Sequence, residues 1–141
     1  MSKRKTKNKV VLLRRAKKLA DSLWSTYIRR RDGKCLLCSS KDKLQAHHCL
    51  IRKALSNHTR WNINNGVTLC YRCHLIEIHG NATKSVLENY LKIINEMYSA
   101  EQQCEVISKS KSTELIDLSA LNNIISDLKN RISLLDKKSK I

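Results

Sequence analysis

A small α+β domain is the fold class this sequence predicts, with a short hairpin and helix set between longer amphipathic helices, and two observations predict it. Two Cys-x-x-Cys pairs, "CLLC" at Cys35 and Cys38 and "CYRC" at Cys70 and Cys73, bracket a stretch with the short apolar runs of strands. On either side, apolar residues recur every three to four positions, the period of a helix buried along one face. A hydrophobic fraction of 41% over 141 residues supplies one modest core, so one globular unit with extensions is expected.

Residues 1–9 contain "SKRKTKNK", five Lys/Arg with no acid or large apolar side chain, and read as a disordered basic arm. From Val10 to about Arg31, Leu12, Leu13, Ala16, Leu19, Ala20, Leu23, Trp24 and Tyr27 keep a helical period, with Gly33 beyond the end as a stop. "KLQAHHC" and "GVTLC" read as short strands, "LIRKALSNHTRWNINN" as the irregular loop between them, and "YRCHLIEIH" as a helix. Residues 10–82 are therefore expected to form the central domain, and residues 83–99 a helix packing on it through Val86, Leu87, Tyr90, Leu91, Ile94 and Met97. Residues 100–141 read as a polar linker and a last helix in which Leu118, Leu121, Ile125, Leu128, Ile132 and Leu135 alternate spacings of three and four. Such a seam wants a partner: either the helix at 86–98, or a second copy of the chain in a homodimer.

The formal net charge is +16, and a surplus of that size calls for a polyanionic partner. Nucleic acid leads, and an anionic membrane surface is the alternative. The charge gathers on the outer face of the first helix at Arg14, Arg15, Lys17 and Lys18, at its end in Arg29, Arg30 and Arg31, and in the loop at Arg60; these are the expected phosphate contacts. No run of about eighteen apolar residues occurs and no signal-like apolar centre opens the chain, so a cytoplasmic, membrane-free location is expected.

Without an export signal, paired cysteines point to metal rather than disulfides. Each Cys-x-x-Cys turn presents two thiolates to one ion, and two turns complete the tetrahedron that Zn²⁺ prefers. A closed shell of Cys35, Cys38, Cys70 and Cys73 leaves no position for substrate, which makes this zinc structural.

Between and beside the knuckles stand "HH" at His47 and His48, Asn65 five residues before Cys70, and His74 directly after Cys73. In this combination "AHH…RWNINNGVTLCYRCH" resembles the HNH endonuclease family, over roughly residues 22–80, and is similar to its four-cysteine phage and bacterial members. The resemblance implies a ββα-metal core and metal-dependent hydrolysis of DNA, duplex or branched, in a bacterial or phage-infected cell. His47 and His74 would then bind a catalytic divalent ion, Mg²⁺ or Mn²⁺ with Ni²⁺, Co²⁺ or Zn²⁺ as alternatives. His48 would be the general base, Asn65 would hold the loop that orients it, and Arg52 would grip phosphate. Adjacent strand residues point to opposite faces, which suits a division of labour between His47 and His48.

One position departs from the family pattern. The further histidine often found four residues after the position of His74 is replaced by Ile78, and the imidazole comes one residue later, at His79. A step of five residues turns a regular α-helix by about 140°, away from the cluster. An unwound last turn or a π-bulge would bring His79 back as a third ligand; otherwise water completes the shell. The rival to an enzyme is a zinc-stapled module that binds nucleic acid without cutting it, or an assembly protein built on the heptad helix.

Overall fold

Ala16 and Ala20 put the smallest side chains of the first helix on its apolar stripe, and both are buried in the larger of two core clusters. The computed structural model describes residues 2–140; Met1 and Ile141, the outermost residues of the predicted arm and last segment, lie outside the described residues. In order, the elements are α1 (Lys3–Asp32), β1 (Leu44–His48), α2 (Asn57–Arg60), a 3₁₀ turn (Ile63–Asn65), β2 (Gly66–Cys70), a π-helix (Arg72–Ile78), α3 (Lys84–Met97), α4 (Ala100–Ser110) and α5 (Leu118–Lys138). This is a small mixed α+β fold with a two-stranded sheet. No helix among the described residues is long and apolar enough to cross a membrane.

The first helix starts earlier than its apolar period. Residues 3–9, expected to be a disordered arm, continue α1 as exposed turns. Lysine and arginine propagate a helix well once the turns beyond them are nucleated by packing. At the other end Gly33 adopts φ 70° and its N–H meets the Arg29 carbonyl at 2.9 Å, the glycine cap expected there.

The apolar seam of α5 packs on α1 rather than on residues 86–98. Leu121, Ile125 and Leu128 are buried with Ala16, Ala20, Trp24, Tyr27 and Ile28, while Leu118, Ile132 and Leu135 pack around them. Arg131 lies against Tyr27, and Arg30 pairs with Asp136 at 2.8 Å, so the two helices run in the same direction. Parallel packing is open to them because the whole central unit lies between them in sequence and carries the chain back to the N-terminal half of α1. The segment expected to be a linker contains α4, stapled at its start by a reciprocal Ser99–Gln102 capping box and packed through Val106. A single buried apolar side chain leaves no period to read in so polar a stretch.

The strands pair antiparallel, with Leu44 opposite Cys70 and His48 opposite Gly66. One side of this hairpin lies on α1, where a glycine is required for space. A Cβ on Gly66 would stand 2.6 Å from Trp24 Cζ2 and 2.8 Å from Ile28 Cδ1. Gly66→Ala is therefore expected to lower stability by about 1–3 kcal/mol through overpacking; urea unfolding of the variant with an unchanged midpoint would show that α1 does not sit so close. The other side carries the smaller core, in which Val67, Leu69, Tyr90, Ile94 and Tyr98 surround Cys35, Cys70 and Cys73. Tyr90, Ile94 and Tyr98 come from α3 and the residue that ends it.

Candidate functional site

The two knuckles meet because β2 joins them. Leu36 N–H donates to the Thr68 carbonyl at 3.0 Å, drawing the first Cys-x-x-Cys turn onto the strand whose end supplies Cys70. One Sγ from each of Cys35, Cys38, Cys70 and Cys73 lies within 4.8 Å of the others, close enough to hold a metal such as zinc. Cys38 Sγ and Cys70 Sγ are 3.6 Å apart. A disulfide requires about 2.05 Å, whereas thiolates bound at about 2.3 Å to a tetrahedral ion stand about 3.8 Å apart. The spacing therefore fits zinc ligation.

A second cluster forms where β1 faces the π-helix. His47, His74 and His79 have ring centroids 4.9, 5.1 and 4.9 Å apart, a near-equilateral set, and their candidate ligand nitrogens lie within 4.8 Å of one another. Residues 72–78 form a π-helix, and His79 N–H donates to the His74 carbonyl at 3.1 Å. An i→i+5 helix is wound more loosely than an α-helix, so a five-residue step comes close to a full turn and His79 falls on the His74 side, with Ile78 beside it at the cleft wall. Imidazoles suit first-row divalent ions, and the set fits one.

Neighbours orient two of the rings. Gln45 Oε1 lies 2.6 Å from His74 Nδ1, and because an amide oxygen only accepts, His74 carries its proton there and keeps the Nε2 lone pair open. Tyr90 Oη lies 2.8 Å from His47 Nε2. Burial, with His74 and His79 beside it, pushes His47 down to about 3, and burial lowers His74 too. Both are neutral at working pH, the form that binds metal.

His48 leaves the strand on the α1 side. Its ring stacks on Trp24 with centroids 4.0 Å apart and planes inclined by 14°. Nε2 donates to the Arg60 carbonyl at 2.8 Å, which leaves Nδ1 as the free acceptor of a neutral ring. Burial favours that neutral form by lowering His48, although the Arg60 carbonyl opposes it. Asn65 is fully buried and spends its amide on the loop: Oδ1 accepts from Leu50 and Ile51 N–H at 2.9 Å each, and Nδ2 donates to the Ile51 and Thr59 carbonyls. The chain leaving His48 is thereby tied to the segment that supplies the Arg60 carbonyl.

Asp21 on α1 anchors that same segment. Its carboxylate accepts from Arg60 at 2.8 and 2.6 Å and from Trp61 Nε1 at 2.9 Å, and Lys53 Nζ is 3.2 Å away. Burial pushes this carboxyl up, but the hydrogen bonds from Arg60 and Trp61 and the Arg60 charge outweigh it and hold it below the usual value of 3.8. A depressed folded value means the contribution is whole above the unfolded value and is lost as pH falls through the folded one. Asp21→Asn is expected to cost about 1–2 kcal/mol at neutral pH, with the gap from wild type shrinking at about pH 3. Urea midpoints at the two pH values check this, and an equal gap at both would exclude a role for the charge.

A cleft of about 910 Å³ opens beside all four imidazoles. His47, His48, His74 and His79 line it together with Arg52 and Lys53. Arg52 is exposed, and its guanidinium has no hydrogen-bond or ion-pair partner among the described residues.

The expected phosphate contacts divide. Arg14, Arg15 and Lys18 are exposed and Lys17 is half-buried on α1. Arg29 bonds Ser25, and Arg30 is held by Asp136. Two assignments need correction. Arg31 turns inward to the carbonyls of Ile63 in the 3₁₀ turn and Gly66 at the start of β2, at 2.9 Å each, and Arg60 is clamped by Asp21. Both guanidinium groups are spent on the fold. Trp61 is 4% exposed, so it is a core residue bonded to Asp21. Trp24, Asp21, Tyr90 and Gln45 are the site residues that motif reading missed. Gln45 alone left a signal, two residues before His47 on the same strand face.

No family model, curated protein or solved structure matches the chain.

Proposed function

We propose that the chain is a metal-dependent endonuclease of the HNH kind that hydrolyses phosphodiester bonds in DNA. The observation that carries this reading is the placing of three convergent imidazoles and a fourth, separately oriented imidazole on one cleft that also holds a free arginine. A binding module has no use for that fourth ring.

His48 Nδ1 takes a proton from water, and the water oxygen forms its bond to phosphorus as the bond to the 3′-oxygen breaks. The leaving oxygen picks up a proton from solvent. His47, His74 and His79 would hold a divalent ion, Mg²⁺ or Mn²⁺ by availability, which would supply positive charge to offset the charge that builds up during hydrolysis. Trp24 and the Arg60 carbonyl hold the base ring at a fixed angle, and Asn65 keeps the loop beneath it in place. Arg52 binds a phosphate oxygen at the cleft wall. Cys35, Cys38, Cys70 and Cys73 would hold a structural zinc, which would tie the first knuckle to the strand and π-helix that carry the imidazoles.

The test is nicking of supercoiled plasmid by pure protein with Mg²⁺ or Mn²⁺, wild type against His48→Ala. Nicking by the wild type that the variant lacks is the expected result. Tight DNA binding by both with nicking by neither would replace the enzyme by the zinc-stapled binding module.

A further inference from the structure

The face of α1 that lines the cleft continues beyond it. Ser22 and Ser25 belong to the cleft wall, and stepping back by three or four residues along the same face gives Lys18, Arg14, Val11, Lys7 and Arg4. All five side chains are exposed, four of them are basic, and none is acidic. The opposite face of α1 from Leu13 onward is covered by α5, and residues 3–12 extend past the first turn of α5 and are all exposed. From Ser22 to Arg4 the row runs about 27 Å at 1.5 Å per residue.

We propose that this row is a duplex track: a double-stranded DNA lies along α1 with one end of the contact in the imidazole cleft, and its phosphates meet Lys18, Arg14, Lys7 and Arg4. That length corresponds to about eight base pairs, all on one side of the cleft. A rigid helix matches a rigid polyanion, and the row carries no aromatic side chain on which the bases of a single strand would stack. An anionic lipid surface fits less well, because interfacial helices bury a broad apolar face and the broad apolar face of α1 is already occupied by α5. The track rests on the nuclease reading only in its direction toward the cleft; the contact itself is independent of cutting.

Equilibrium binding of the His48→Ala chain of 141 residues, zinc-loaded, separates the two. The probes are a fluorescent duplex of about 24 base pairs, one strand of it alone, and vesicles of phosphatidylserine and phosphatidylcholine. Replacing Arg4, Lys7, Arg14 and Lys18 together by glutamine is expected to weaken duplex binding at least about tenfold and to lower the salt slope by about 3.6, the value for four lost phosphate contacts. Replacing Lys129, Lys137, Lys138 and Lys140 in and after α5 is expected to change affinity less than about twofold. The pairs Arg4→Gln with Lys7→Gln and Arg14→Gln with Lys18→Gln should each remove about half of the slope, which guards against a misfolded quadruple variant. Equal losses from the two quadruple sets, a row variant that binds like its parent, single strand bound as tightly as duplex, or vesicles that displace the duplex would each overturn the track. A row that behaves as expected, with wild-type protein that never nicks plasmid in Mg²⁺ or Mn²⁺, would sink the nuclease reading and leave the track standing.

Discussion

His48→Ala is expected to lower plasmid nicking by about 10²–10⁴-fold, the usual contribution of a positioned general base, while zinc content and the unfolding midpoint stay close to wild type. The loss should be that large because no other ring on the cleft has the same freedom. His47, His74 and His79 converge on one another, and their lone pairs are the ones an ion would take. His48 alone has one nitrogen committed to a backbone carbonyl and the other open. The fold should tolerate the change: the ring is only partly buried, and its removal leaves one carbonyl to be met by water and one face of Trp24 exposed. Quantified plasmid topoisomers under single-turnover conditions give the rate. An unchanged rate would transfer the proton abstraction to another group, or the activity to a contaminant.

Cys70→Ser is expected to abolish tight zinc binding and, with it, the cooperative unfolding of the central unit. Apparent binding energies of about 10–16 kcal/mol have been found for structural zinc in small peptides, as large as or larger than the about 5–15 kcal/mol that holds a typical domain together. The core around the knuckles is small, and three of its buried members are the cysteines themselves. Without an ion, four sulfur groups face one another with little else to hold Cys35 and Cys38 against β2 beyond the Leu36–Thr68 hydrogen bond. Because β2 leads straight into the π-helix, the imidazole cluster should loosen with it. Elemental analysis for about one zinc per chain, with circular dichroism melts before and after chelation, checks this. A chelated protein that melts as sharply and as late as the loaded one would reduce the four cysteines to ordinary core thiols.

Much of the candidate site was legible because most of its members lie within 45 consecutive positions, from Cys35 to His79, and local rules govern them. Cys-x-x-Cys forces two thiolates together, strand alternation separates His47 from His48, and the spacing of His74 and His79 required either an unwound last turn or a π-bulge before they could share an ion. The segment is indeed a π-helix. The rest came from elsewhere in the chain. Asp21 and Trp24 act on His48 from α1 and Tyr90 on His47 from α3, across separations that no periodicity encodes. Helix α4 was missed because a capping box and one buried valine suffice to hold it on a larger body.

Residue types and short spacings are enough to specify the amphipathic helices, the two strands and which side chains can ligate metal, since those depend on neighbours a few bonds away. Which surface α5 covers is another matter: its seam would satisfy any matching apolar stripe, and only assembly showed that Trp24, Tyr27 and Ile28 offer the one it takes. By the same logic, Arg31 and Arg60 look identical to phosphate-binding arginines until a carbonyl pair and a carboxylate, each more than thirty positions away, arrive beside them. A charge's role is set by the competing partner within reach, and reach is a property of the folded chain.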